Sequence, residues 1–119
     1  MNNSSIRDVL NMYYDGLSNK GDWHFVLSED ILLKGTIAKE SRGKEAFVNN
    51  NFFKMIKELK VEKMIVEADS ACAVAHYDLK SPKGKSFTSE VAEIWIAKEG
   101  KLESLAIYFD TAQFQKAMT

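Results

Sequence analysis

The chain has few of the residues that staple, break or metallate small folds. In 119 residues there is one cysteine, Cys72, one proline, Pro82, and two histidines, His24 and His76. A lone cysteine excludes an intramolecular disulfide and fits a reducing compartment, so a cytoplasmic setting is expected. Two histidines this far apart, with no acidic cluster beside them, make no metal signature, and no metal or other cofactor is expected. The apolar runs are of strand length, too short to span a bilayer, and the polar Met1 to Ser5 carries no secretory pattern. A formal net charge of -1 gives no electrostatic footprint for nucleic acid or an anionic membrane. Phosphate loops, nucleophile elbows and dinucleotide fingerprints are absent, as are repeats and linkers, so residues 1–119 read as one domain.

What is present is clear periodicity. Ile6, Val9, Leu10, Tyr13, Tyr14 and Leu17 form one apolar stripe over 4–19, capped by Ser4 or Ser5 and stopped at Asn19-Lys20-Gly21. Asp22 caps a short second helix carrying Trp23, Val26 and Leu27. Ser28-Glu29-Asp30 reads as a turn into a strand from Ile31 to Ala38. After Ser41-Arg42-Gly43, the residues Val48, Phe52, Met55, Ile56 and Leu59 have helical spacing. From Lys60 the pattern becomes β-branched and aromatic, with strands expected over 60–68, 71–80, 86–97 and 102–109. The joining turns are short enough for antiparallel neighbours only. A closing helix capped by Asp110 or Thr111 carries Phe114 and Met118. This order predicts an α+β domain, a curved antiparallel sheet wrapped around helices with an internal apolar pocket.

Three stretches carry a family resemblance. They are Tyr13 to Trp23 with its Gly21-Asp22, Arg42-Gly43-Lys44-Glu45-Ala46-Phe47, and Glu93 to Leu102 followed by Tyr108-Phe109-Asp110. In this order they resemble the SnoaL-like and ketosteroid-isomerase-like proteins of the cone-shaped nuclear transport factor two fold. The resemblance places Tyr14 where the isomerase has the tyrosine that stabilises a developing enolate oxygen. It places Gly35 where the isomerase has its carboxylate base, and Ala92, counted back from Gly100, where it has a protonated acid. Ile107 stands where the cyclases have their acid/base aspartate. Both enzyme templates thus lack their defining carboxylates, and steroid isomerisation is not expected.

The same mapping assigns faces, because strand side chains alternate. With Ala92 and Ile107 inward, the pocket is lined by Val74, His76, Asp78, Thr88, Glu90, Ala92, Ile94, Leu105, Ile107 and Phe109, with Phe52 from the third helix. Tyr14, His76 and Glu90 are then the candidate catalytic group, with Glu90 able to orient and charge the imidazole. Each also has a structural reading: Tyr14 as a core aromatic, His76 as a satisfied strand histidine, Glu90 as a solvated carboxylate. The opposite face, with Ala73, Ala75, Tyr77, Val91, Glu93, Trp95, Ala106 and Tyr108, has no helix left to cover it, and a homodimer through that sheet face is expected. Three readings follow. One is a protein that binds a small apolar molecule. Another is a lyase, isomerase or cyclase using His76. The third is an interaction module whose cone is filled by its own side chains.

Overall fold

The structure is a computed structural model and describes residues 5–35 and 40–119. Helix α1 (Ile6–Ser18) opens where the Ser5 side chain accepts a hydrogen bond from the Asp8 amide at 3.2 Å. Its buried residues are the six of the expected stripe. The expected cap at Ser4 and the strand residues Thr36 to Ala38 lie outside the described residues. Gly16 is inside this helix because the chain folds back on it. A Cβ there would sit 2.8 Å from the Asp22 carbonyl oxygen and 2.9 Å from the Trp23 Cβ. The helical cost of glycine, about 1 kcal/mol against alanine, is accepted in exchange for that close approach. A single 3-10 turn, His24–Val26, follows.

Six strands form one curved, unclosed sheet in the order β2-β1-β6-β5-β4-β3. They are β1 (Leu27–Lys34), β2 (Ser41–Arg42), β3 (Ile56–Glu67), β4 (Ser70–Lys80), β5 (Ser86–Lys98) and β6 (Lys101–Tyr108). Neighbours from β3 to β6 are antiparallel hairpins, and β1 pairs with β2 in the same sense. The β1–β6 pair is parallel, which refines the all-antiparallel expectation. Two short helices, α2 (Lys44–Val48) and α3 (Phe52–Met55), precede β3, and α4 (Thr111–Met118), capped by Asp110, closes the chain. No helix among the described residues is long and apolar enough to cross a membrane.

Two boundaries differ from the sequence expectation for one physical reason. The third helix was expected to run to Leu59, but β3 begins at Ile56. Bulges between Ile56 and Glu58 and between Val61 and Lys63 each add a residue to this strand. Its apolar residues 56, 59, 61, 64 and 66 therefore step by three and two, and the first step imitates a helix. The first strand likewise begins at Leu27 rather than Ile31. Ser28, Glu29 and Asp30 lie within it, where its pairing with β6 shifts between Leu27 and Leu32.

The largest correction concerns which face is inside. Ala71, Ala73, Ala75, Tyr77 and Leu79 of β4, and Ser89, Val91, Glu93, Trp95 and Ala97 of β5, are buried against the helices. Val74, His76, Asp78, Thr88, Glu90, Ala92 and Ile94 point the other way, to the outer face. The register shows why the two expected anchors could not both be inward. Ala92 pairs with Tyr108 and Ile107 pairs with Glu93, so Ala92 and Ile107 lie on opposite faces. Helix α1 packs across β3, β4 and β6, and Tyr13 meets Trp95 edge to face at 4.8 Å between ring centroids. The alanine row of β4 leaves room for these aromatic rings.

Candidate ligand-binding site

A half-open apolar chamber of about 250 Å³ lies between the end of β1, helix α3, the end of β6 and helix α4. Leu33, Gly35, Phe52, Met55, Ile107, Phe109, Phe114 and Met118 line it, with Asn50 and Asn51 at one side. The Asn50 side-chain oxygen accepts from the Phe52 amide at 2.9 Å, which starts α3 and fixes the Phe52 ring at the chamber wall. Phe109 and Phe114 pack edge to face at 5.1 Å, holding α4 over the end of β6. Wider hollows of about 400 and 440 Å³ lie open to solvent on the surface, among charged and polar side chains such as Lys57, Asp78, Asp30 and Arg42.

Deeper in, a cavity of about 20 Å³ is lined by Tyr13, Phe47, Phe53, Leu105 and Glu93. It shares Leu33, Asn50, Phe52 and Ile107 with the chamber as common walls. Glu93 is 1% exposed, the one buried carboxylate among the described residues. Tyr14 donates to its Oε1, and the Tyr77 hydroxyl donates to its Oε2 at 2.8 Å. The Trp95 indole N–H donates in turn to the Tyr14 oxygen at 3.0 Å. Burial pushes the Glu93 carboxyl up from 4.5 to about 7, against the pull of the two tyrosine hydrogen bonds, which favour the ionised form. Burial also raises Tyr13, Tyr14 and Tyr77 well above the ordinary phenol value, with the nearby Glu93 charge adding to the effect.

The structure divides the candidate residues named from sequence into three groups. Phe52, Ile107 and Phe109 line the chamber. Tyr14 is buried beneath it, held by Glu93 and Trp95. Val74, His76, Glu90, Ala92 and Ile94 are on the outer face and reach neither cavity. His76 and Glu90 do meet, through Nδ1 and Oε2, and Asp78 lies 3.4 Å from the imidazole Nε2. Their meeting place is the solvent side of the sheet. Glu90 raises the His76 pKa through that hydrogen bond, with Asp78 adding to it and partial desolvation opposing. Among the described residues, no group of three His, Cys, Asp or Glu side chains is placed to hold a metal ion.

Sequence reasoning misses Glu93 as an interior residue because counting back from Gly100 passes it by one residue and ends on Ala92. A one-residue offset exchanges every inward side chain for its outward neighbour, and β5 itself alternates without interruption from Ser89 to Ala97. A carboxyl does therefore stand on the penultimate strand opposite Tyr14. The base position named by the resemblance, Gly35, lies in the chamber wall without a side chain. The ten chamber-lining residues include no carboxylate and no histidine.

No family model and no curated protein matches the chain. Solved structures do match it over nearly its whole length. An NTF2-like protein from Burkholderia thailandensis superposes with a TM-score of 0.84 at 19% identity, covering 98% of each chain. A protein from Jannaschia sp. CCS1 assigned as a SnoaL-like polyketide cyclase gives a TM-score of 0.80 at 15% identity, covering 99% of this chain and 96% of that one. TerC, crystallised with polyporic acid, gives 0.83 at 14% identity, covering 97% and 98%. With its curved sheet, its embracing helices and these superpositions, the chain has the NTF2-like fold, the architecture it shares with SnoaL-like polyketide cyclases.

Proposed function

We propose that the protein binds a small, largely apolar molecule in the chamber between β6, α3 and α4. The observation that carries this reading is the chamber itself, about 250 Å³ of space walled mainly by Leu, Met, Ile and Phe side chains. Mostly apolar cavities with few polar groups are the usual form of small-molecule sites, and this one lies just below their common range of roughly 300–1,000 Å³, a size for a small guest. Polyporic acid was crystallised with TerC, a protein of the same fold, which supports the reading by analogy of architecture only. Titrating the chain with 2-phenylethanol and indole, followed by NMR shifts of the Phe52, Ile107 and Met118 side chains, tests it. Saturable shifts at these residues are expected. Met118→Trp, which fills the chamber from α4, should abolish them. Shifts spread over the surface without saturation would sink the proposal.

The outer face supports a second element of the proposal, assembly as a homodimer, with Ala106 and Tyr108 kept from the expected face and the expected β4 and β5 residues replaced by their outward neighbours. Six large hydrophobic side chains are exposed among the described residues, and Ile65, Ile94, Ile96 and Tyr108 of these lie on this one face. Val74, Cys72, Ala92 and Ala106 fill the space between them in the paired register. With strands about 4.8 Å apart and about 3.3 Å per residue, four strands of about ten residues present roughly 600 Å². That approaches the roughly 800 Å² per partner of a stable interface. Charged residues (Lys60, His76, Asp78 and Glu90) gather at one end, where a polar rim belongs. A second copy packed on the apolar rows would cover the face and leave the chamber accessible. A cytoplasmic setting fits the free Cys72 on this surface.

A further inference from the structure

The Tyr14–Glu93–Tyr77 cluster is more than the chamber needs to hold an apolar guest. Glu93 sits at the deep end of the site, and no Lys, Arg or His makes an ion pair with it among the described residues. The influences on its ionisation are burial and the two tyrosines, with no positive charge among them. The groups facing it from the elements packed around it are Tyr13 and Tyr14 of α1 and Tyr77 of β4. Its polarity has a direction. Of these three, Tyr14 and Tyr77 commit their hydroxyl hydrogens to Glu93, and Trp95 commits its own to Tyr14. An ionised carboxylate has about four acceptor positions, and only two are taken here. The cluster therefore presents acceptors and negative charge to its surroundings rather than donors.

The cavity beside Glu93 matches what such a cluster would take. Its volume of about 20 Å³ admits one water-sized group. Its walls include the rings of Tyr13, Phe47, Phe52 and Phe53, and aromatic rings are the side chains that attract a desolvated cation. An alkylammonium head is about the size of a water molecule and brings three donors with a full positive charge. A ketone or ether would bring only an acceptor to a place already supplied with acceptors. Phe52 is the common wall, so a molecule in the outer chamber would reach this cavity past its ring.

We propose that the ligand of the chamber is an apolar amine, whose ammonium group occupies the inner cavity and pairs with the Glu93 carboxylate. This rests on the reading that the chamber binds an apolar molecule, and adds to it the one polar group that the site selects. The amine is the counter-ion of a buried carboxylate that otherwise has none, and the tyrosines hold that carboxylate in place for it.

The test is a calorimetric titration of the full chain with 2-phenylethylamine, 2-phenylethanol and acetophenone, which share a ring and differ in the head group. At about pH 8 the amine should bind at least about tenfold more tightly than the alcohol. Its affinity should fall about tenfold or more on going to about pH 5.5, because Glu93 takes up a proton there while the amine, titrating near lysine's value of about 10.4, stays charged. In Glu93→Gln the amine-to-alcohol ratio should collapse toward one and the pH dependence should vanish. The wild-type pH profile decides the matter even if that variant folds poorly. Acetophenone binding best, and more tightly as the pH falls, would overturn the proposal in favour of a neutral Glu93 acting as donor. Equal binding of amine and alcohol at all pH values would overturn it while leaving the apolar site intact. Failure of all three to bind would overturn both.

Discussion

Tyr14 gives its hydroxyl hydrogen to Glu93, joining the first helix to the penultimate strand through a hydrogen bond that is wholly buried. The same tyrosine oxygen accepts from Trp95, and the other carboxylate oxygen accepts from Tyr77. One carboxyl group thus ties α1, β4 and β5 together in the middle of the core. Because it is ionisable, the tie has a pH dependence.

The Glu93 carboxyl is held at about 7 in the fold against 4.5 when exposed. The folded state therefore keeps its proton where the unfolded state has lost it. The resulting contribution to stability is fully present below about pH 4.5 and is lost as pH rises through about 7. The difference is of order 3 kcal/mol at about 1.4 kcal/mol per pKa unit. Chemical denaturation of wild type and Glu93→Gln from about pH 5 to 8.5 should show the wild type losing ground to the variant as pH rises. Parallel profiles would mean that Glu93 does not titrate in this range.

Tyr77→Phe removes one of the two donors while leaving the ring that packs against Phe52 at 5.1 Å. Loss of a hydrogen bond to a charged acceptor should cost about 1.5–3 kcal/mol above pH 8. The cost should be smaller near pH 5, where Glu93 is neutral. Removing a donor that favours the ionised form should also move the Glu93 titration higher. Equilibrium unfolding at the two pH values measures both effects. An identical cost at each would count against a charged acceptor.

His76→Gln should leave titration of the chamber with 2-phenylethanol unchanged within about twofold, because His76 is on the outer face and reaches neither cavity. NMR titration of the variant gives the answer, and a large loss of binding would show that the chamber communicates with that face.

For the outer face, Ile94→Lys or Ala106→Arg should convert dimer to monomer without unfolding the chain, since both side chains leave the sheet away from the core. Burying the apolar rows contributes roughly 25 cal/mol per Å² before association costs, and a buried lysine charge without a partner reverses that gain. Sedimentation velocity at micromolar concentration tests it. A wild-type monomer would remove the basis for the assembly.

The element order was legible in the sequence, and so was the stripe of α1, because helical and strand periods survive in 3.6- and two-residue spacing. The inward side of β4 and β5 was not. In Ala71-Cys72-Ala73-Val74-Ala75 both faces carry apolar residues, so alternation gives two equally apolar sides with no sign. Size was the signal available. Tyr77 and Trp95 are among the largest side chains of these strands and share one face, and a concave interior needs its largest side chains there. Glu93, flanked by Val91 and Trp95, then falls inside with them. A carboxylate in that row runs against ordinary burial rules, which is why the pattern pointed to His76 and Glu90 instead. The start of β3 was hidden for a different reason, since its bulges give a strand the spacing of a helix.

The parallel pairing of β1 with β6 bears on how the chain reaches this structure. Strands β3 to β6 are successive hairpins, so residues 56–108 can pair with near neighbours as soon as each turn closes. The Glu99-Gly100 turn, both residues at positive φ, is shaped for that. Leu33 must instead find Leu105 across most of the chain, and closing so long a loop carries an entropy that local hairpins avoid. The meander should therefore assemble early, with α1 and β1 docking onto it afterwards. In amide exchange, β4 and β5 should then outlast β1, and the chamber, walled by the end of β1 on one side and β6 on the other, should be among the last features to form.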